Sequence, residues 1–208
     1  MAVLKFTKNE LRDQQLHLAQ LKRYLPTLQL KKAMLQTEVH ETRIQIEKQE
    51  KLLEQQQMAV DTFSALLSDE RALFLPQAVA VQKVRTRLEN VAGVEIPHFE
   101  GVDFAPFAYS LFETAPWIDA AREQLLLLVQ RREEVKVTRR KKEALEKEWR
   151  AVSTRVNLFE KILIPRAEEN IRVIRVQLSD RELAAVSRAK VAKTKIGAQK
   201  ERWRKTHA

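Results

Sequence analysis

Cysteine is absent from all 208 positions, so disulfides and cysteine-bearing metal sites are excluded. Glycine occurs three times (Gly93, Gly101 and Gly197), too few and too scattered to build a phosphate-cradling loop. The aliphatic run at residues 125–129 falls far short of the roughly 20 residues a membrane-spanning helix needs. Direct membrane insertion is therefore not expected, and residues 1–11 are too polar for a secretory core. His17 and His40 stand alone on a helical pattern, and His98 and His207 lie far off, so neither a metal site nor a cofactor is expected. Ser187-Arg188-Ala189-Lys190 matches Ser-x-x-Lys without the partner motifs of that chemistry, and Glu133 with Glu134 reads as a solvated helix face. No catalytic residue emerges, and the chain reads as a mechanical or adaptor protein, not an enzyme.

What is abundant is Ala, Leu, Glu, Gln, Lys and Arg, the strong helix formers. Stepping by seven from Leu4 gives Leu11, Leu18, Leu25, Lys32, Val39, Ile46, Leu53, Val60 and Leu67. All but Lys32 are apolar, and Leu21, Leu28, Leu35 and Phe63 fill much of the companion position, the pattern of a coiled-coil seam. Thr7-Lys8-Asn9-Glu10 reads as a capping box that opens the helix. Pro26 allows either one kinked arm or two helices with Pro26 in the first turn of the second. The unshifted register through Leu25 and Leu28 favours the continuous arm. Gln14, Lys32, Thr42, Gln49 and Gln56, with Lys142 later, interrupt the stripe with polar groups. Such positions either fix register at some cost or mark stretches that are exposed or face another protein, and the second reading is preferred.

Residues 76–116 differ in kind. They hold Pro76, Pro97, Pro106 and Pro116, and the aromatics Phe99, Phe104, Phe107, Tyr109, Phe112 and Trp117 fall close together here. A short helix is predicted over residues 78–91. Beyond it, Val94-Glu95-Ile96 and Val102-Asp103-Phe104 alternate around Glu100-Gly101, a weak β-hairpin signal. A second helical seam starts near Pro116 and runs Leu125, Leu128, Val135, Leu145, Trp149, Val152, Val156, Phe159, Leu163, Ala167, Ile171, Ile174 and Leu178. Three successive steps of four from Phe159 to Ile171 relax the left-handed supercoil, and Pro165 adds a bend. The expected fold is all-α: a long antiparallel two-helix coiled coil with a small irregular or β-hairpin-containing knob at the turn. Its parts would be an N-terminal arm (1–75), a compact aromatic segment (76–116) and a C-terminal arm with a basic tail (117–208).

Formal net charge is +10, and residues 181–208 carry nine Lys or Arg against two Glu. A second basic cluster holds Arg131, Arg132, Arg139, Arg140, Lys141 and Lys142. Such an excess calls for an acidic partner. On charge alone, a basic coiled-coil adaptor for nucleic acid or another acidic partner is the alternative function, but no recognised nucleic-acid module accompanies the tail.

Two stretches narrow the choice. Thr7-Lys8-Asn9-Glu10-Leu11, Leu21-Lys22-Arg23-Tyr24-Leu25 and Leu28-Gln29-Leu30-Lys31-Lys32-Ala33-Met34-Leu35 form one. The other runs from Arg155-Val156-Asn157-Leu158-Phe159-Glu160 through Ile162-Leu163-Ile164-Pro165-Arg166 to Asp180-Arg181-Glu182 and Arg188-Ala189-Lys190-Val191. In this order they resemble the D subunit of the V-type and archaeal-type rotary ATPases, the central-stalk rotor protein. Where that family often has a glycine between its two N-terminal segments, this chain has Leu25-Pro26-Thr27. The resemblance implies a non-catalytic shaft that couples ATP hydrolysis or synthesis in a catalytic head to rotation and to transport of hydrogen or other ions. Its implied partners are the catalytic-head subunits, a small rotor subunit and a stalk-cap subunit above the membrane ring, with no nucleic acid. The implied location is cytoplasmic, peripheral to the membrane as part of the complex. On this reading Arg181, Arg188, Lys190 and Lys193 meet acidic loops of the head, and Phe104 and Phe107 dock on the stalk cap.

Overall fold

The computed structural model describes residues 5–62, 75–108 and 116–206. Leu4, Phe63, Leu67, Tyr109, Phe112 and His207, all named above, lie outside them. The elements in chain order are α1 (Lys8–Asp61), the short turn α2 (Leu75–Ala78), β1 (Val81–Val91), β2 (Val94–Phe104), α3 (Ile118–Leu158), a π-helical turn (Phe159–Leu163) and α4 (Ile164–Thr206). The chain is mostly helical, with one two-stranded antiparallel sheet among the described residues.

Helix α1 starts where the capping signal places it. The Glu10 N–H donates to Thr7 Oγ1 at 3.2 Å, and the Leu11 N–H to the Thr7 carbonyl at 3.0 Å. Only half of the box forms, because Glu10 Oε1 accepts from Gln14 Nε2 at 3.0 Å instead of reaching back. The helix passes Pro26 unbroken, so the continuous arm is the observed form. Interior proline costs about 3 kcal/mol in helix propensity. Buried Leu21, with half-buried Leu25 and Leu28 around the proline, offsets that cost by packing.

Two units divide the residues, and each contains segments from both ends of the helical pattern. In the first, Leu30–Ser153, the later part of α1 packs antiparallel on α3. Lys31 pairs with Glu148 at 3.2 Å, Arg43 with Glu146 at 2.6 Å and Glu50 with Arg139 at 2.7 Å. As one partner advances along α1, the other recedes along α3. Leu35, Val39, Ile46 and Val60 are buried on one side, and Val135, Leu145 and Val152 on the other. Each contributes about 1.5–3 kcal/mol when fully buried, against about 0.2–1 kcal/mol for an exposed ion pair. The apolar seam holds the pair together, and the charges set its register.

The polar interruptions of the stripe behave differently from expectation. Thr42 and Gln49 are buried, not exposed and not turned toward another protein. Thr42 Oγ1 donates to the Glu38 carbonyl at 2.7 Å within its own helix. Gln49 Nε2 donates across the seam to Glu134 Oε1 at 2.9 Å, and Gln56 Nε2 to Gln124 Oε1 at 2.8 Å. The physical cause is that Thr42, Gln56 and the Gln49 Nε2 group find partners inside the unit, which offsets much of their desolvation, while Gln49 Oε1 stays buried without a hydrogen bond.

Residues 78–91, expected to be helical, form the last residue of α2 and the strand β1 instead. The hairpin turns at Ala92-Gly93, not at Glu100-Gly101, with Val91 opposite Val94 and Val81 opposite Phe104. Ala92 (φ 51°) and Gly93 (φ 78°) are both left-handed, the requirement of a type I′ turn. The Asn90 side chain accepts from the Gly93 N–H at 2.9 Å and holds the turn closed. Gly101 lies inside β2, where an added Cβ would come within 2.9 Å of Arg85 Nη2. The bare backbone there gives the Arg85 side chain room to reach Asp103 at 3.3 Å. A Cβ on Gly93 would stand 3.7 Å from Lys31 Nζ, so the tip of the hairpin lies beside Lys31. That is about 45 Å of helix rise upstream of the end of α1. The tip of the hairpin thus lies beside α1 well before the end of that helix.

The second unit comprises Met1–Gln29 and Thr154–Ala208. Here α1 again pairs antiparallel with its partner: Lys22 with Glu168 at 2.7 Å, Gln14 with Asn170 at 3.4 Å and Lys8 with Glu182 at 3.2 Å. Leu21, Val156, Ala167, Ile171 and Ile174 form its buried seam. The stretch with steps of four contains the π-helical turn, where the Ile164 N–H reaches the Phe159 carbonyl. Pro165 follows directly. It has no N–H, and its ring would crowd the carbonyl four residues back, so a widened turn at this point relieves both problems.

Candidate partner-binding surfaces

The last third of the chain is built almost entirely from helix formers, and α4 runs to Thr206 with one internal glycine, Gly197. Its seam ends early. Among the described residues Ile174 is the last fully buried one, Leu178 is half-buried, and every residue from 179 to 200 is exposed. That stretch is not purely polar. Leu183, Val186, Val191 and Ile196, with Trp203 beyond them, are all more than half exposed, Leu183 at 64%. At about 100° per residue, Leu183, Val186, Val191 and Ile196 point in four different directions around the helix. No single apolar stripe therefore continues along α4 beyond Leu178.

The four candidate cations fall in this unit. Arg181 donates through Nη1 to the Phe6 carbonyl at 2.8 Å, so it also secures the start of the chain. Arg188 Nε donates to the Ala184 carbonyl at 3.2 Å on its own helix. Lys190 and Lys193 are exposed and form no ion pair among the described residues. The two candidate aromatics sit in the other unit. Phe104 ends β2 opposite Val81, and Phe107 follows it; both are half-buried. The Ala105 N–H donates to the Ala80 carbonyl at 2.9 Å, which ties the base of the hairpin beside them.

A line of polar contacts along one flank of α1 was not anticipated from the apolar pattern. With Val39 and Thr42 taken as core positions a and d, Lys8, Lys22, Gln29, Arg43 and Glu50 all occupy position e. In their separate units these residues meet Glu182, Glu168, Glu160, Glu146 and Arg139. The heptad count alone contained that signal. Glu146 is the most crowded member: the hydrogen bond from Arg43 chiefly lowers its pKa, aided by the positive charges of Lys142 and Arg150. Farther on, Arg172 grips Glu169 with two N–H bonds of 2.8 Å, which lowers the pKa of that carboxyl.

Among the described residues, no group of acidic or histidine side chains could hold a metal ion. No described helix is long and apolar enough to cross a membrane.

Residues 10–194 match the family model for the D subunit of ATP synthase. The V-type ATP synthase D subunit of Borreliella burgdorferi is 37% identical over 200 residues, covering 94% of this chain and 96% of the relative. Its counterpart in Chlamydia pneumoniae is 38% identical over 200 residues, covering 96% of each. That of Chlamydia felis is 37% identical over 202 residues, covering 95% of this chain and 96% of the relative. The match spans both helical stretches and the hairpin between them, and the chain belongs to the ATP synthase D-subunit family.

Proposed function

We propose that this chain is the central-stalk rotor of a V-type ATP synthase or ATPase, in which the two long helical stretches form an antiparallel coiled coil. It binds no nucleotide. It couples hydrolysis or synthesis in the catalytic head to rotation and ion transport by presenting different faces to successive subunits, each of which it biases toward a different conformation. The complex holds it at the cytoplasmic side of the membrane, peripherally.

One observation supports this reading above the others: an exposed, basic stretch of α4 with apolar side chains on every side. Cations and apolar side chains spread around this helix suit a partner that contacts it from more than one direction, as a central bore would. Arg188, Lys190 and Lys193 are then placed to meet acidic groups of the head, with Arg181 at the root of the tail. Phe104 and Phe107 would dock on the stalk cap, and a small rotor subunit would clasp the shaft. The nucleic-acid alternative draws on the same cations but leaves the apolar side chains without a purpose.

Deleting residues 188–208 is the test. The shortened chain should keep the melting temperature of the intact one, because residues 188–200 are all exposed. Complexes assembled with it should hydrolyse ATP with little or no ion transport. Full coupling in the truncated complex would rule the assignment out.

A further inference from the structure

The two strands of the hairpin have unlike outer edges. β2 carries the buried residues Ile96 and Gly101, whereas in β1 every residue except Val84 and Val91 is exposed. Pro97 interrupts β2, and Glu100 bulges from it, since Arg85 faces Gly101 while Thr86 faces Phe99. Both features blunt an edge against a further strand. Between Lys83 and Val91, β1 has no proline and no extra residue of its own. The two-residue turn makes Val91 and Val94 a hydrogen-bonded pair, so bonding to β2 alternates back along β1. Val91, Glu89 and Arg87 bond to β2, and Asn90, Leu88 and Thr86 turn their N–H and C=O groups outward. Leu88 fits this phase, because its partner Pro97 has no N–H to give. No third strand joins the sheet among the described residues. Strand alternation puts Lys83, Arg85 and Arg87 on one face of this edge, with Glu89 nearest the turn. Arg85 is held by Asp103 at 3.3 Å, while Lys83 and Arg87 form no ion pair among the described residues. Val84, Thr86 and Leu88, the last of them 67% exposed, occupy the other face.

We propose that the outer edge of β1 takes up an extended acidic segment of another subunit as a third strand of the sheet. The main chain of that segment bonds to the outward groups of Thr86, Leu88 and Asn90. Its side chains alternate, with carboxylates beside Lys83 and Arg87 and apolar groups beside Val84 and Leu88. Glu89 repels a carboxylate at the turn end, which fixes the register. A second β1 paired in register would set the same cations side by side, which disfavours a copy of this chain. Cations on an edge strand deter indiscriminate pairing, and here they favour an acidic strand over others. The proposal rests on the rotor reading only in that the chain works inside an assembly; it does not depend on rotation.

The test uses the assembled complex, with the photo-crosslinking residue p-benzoylphenylalanine in place of exposed Thr86. Irradiation should join the chain to another subunit, and mass spectrometry should place the link within a few residues of an Asp or Glu. Adding Lys83→Glu with Arg87→Glu should lower the crosslink yield about fivefold, the scale of losing two exposed charge contacts. Leu88→Pro removes one outward N–H and none that bonds to β2, and should lower the yield about as much. Leu88→Ala keeps that N–H and should lower it far less. Hydrogen exchange at the Arg87, Glu89 and Val91 amides checks that the hairpin survives each change. If Leu88→Pro frees those amides, the charge reversal decides alone; if the reversal frees them, Lys83→Gln with Arg87→Gln replaces it. Three results would each overturn the proposal: no link from position 86, a link to a second copy or to a segment without a carboxylate, or a yield indifferent to the charge at positions 83 and 87. Loss of coupling in the tail-deleted complex bears on the rotor reading alone, so the two can fail separately.

Discussion

Ala92 is the one described residue other than glycine with positive φ. Its Cβ makes the left-handed region unfavourable, and Asn, Asp or Gly are the residues that a type I′ turn favours at this position. The turn persists because Asn90 closes it through the Gly93 N–H and because Gly93 carries the second positive φ without strain. Ala92→Asn or Ala92→Gly should therefore stabilise the hairpin, by about 0.5–1 kcal/mol. Urea denaturation followed by circular dichroism would measure it. An unchanged or lower midpoint would mean that the strain at Ala92 is already relieved by its neighbours. Gly93 is the contrasting case: a Cβ has space there, with Lys31 Nζ no nearer than 3.7 Å, so backbone conformation and not crowding selects the glycine.

At the scale of elements, the helices are legible in the sequence and the hairpin only half so. α1 announces itself because one core position repeats from Leu11 to Val60, and the capping residues mark its start. In β1, by contrast, the apolar residues Val81, Val84, Leu88 and Val91 fall at helical spacing, and that spacing misleads. Leu88 is largely exposed, and the hairpin fully buries only Ile96 and Gly101, so β1 shows no alternation and β2 only short stretches of it. Periodicity reports burial, and a ribbon with little buried surface leaves no period to read. The turn is obscured for a related reason: Ala-Gly is a weak turn pair, and Asn90, two residues before it, is the better clue. The surface cations are legible as residue types, but their contacts are not. Nothing in the sequence shows that Arg181 reaches Phe6 or that Trp149 Nε1 lacks an acceptor. The hairpin's base also carries a prediction. Phe104→Ala combined with Phe107→Ala should abolish capture of the stalk-cap subunit in a pull-down and leave capture of the catalytic head intact. Equal capture of both by the variant would remove these aromatics from the docking surface.

Over the whole molecule, the decisive property is where the charge lies. The formal excess is +10, and the last 28 residues alone contribute nine cations against two carboxylates. Charge of one sign on an exposed helix does little for the fold. It raises the rate at which an oppositely charged partner is met, and salt screens that effect over a Debye length of about 8 Å at physiological ionic strength. Apolar side chains on the same helix act later, once contact excludes water, and salt does not screen them. The two contributions therefore separate in kinetics. Lys190→Glu with Lys193→Glu should slow association with the catalytic head by roughly tenfold at low salt and leave dissociation nearly unchanged, because rim charges act mainly on the association rate. The difference should shrink as salt is added. The variant's own melting temperature should not move, since neither lysine forms an ion pair among the described residues. Stopped-flow mixing of labelled chain and head over a range of salt concentrations would measure both rates. If the reversal instead speeds dissociation and leaves association untouched, the lysines make tight, water-free contacts in the assembled complex, and steering by the tail is the wrong account of its charge.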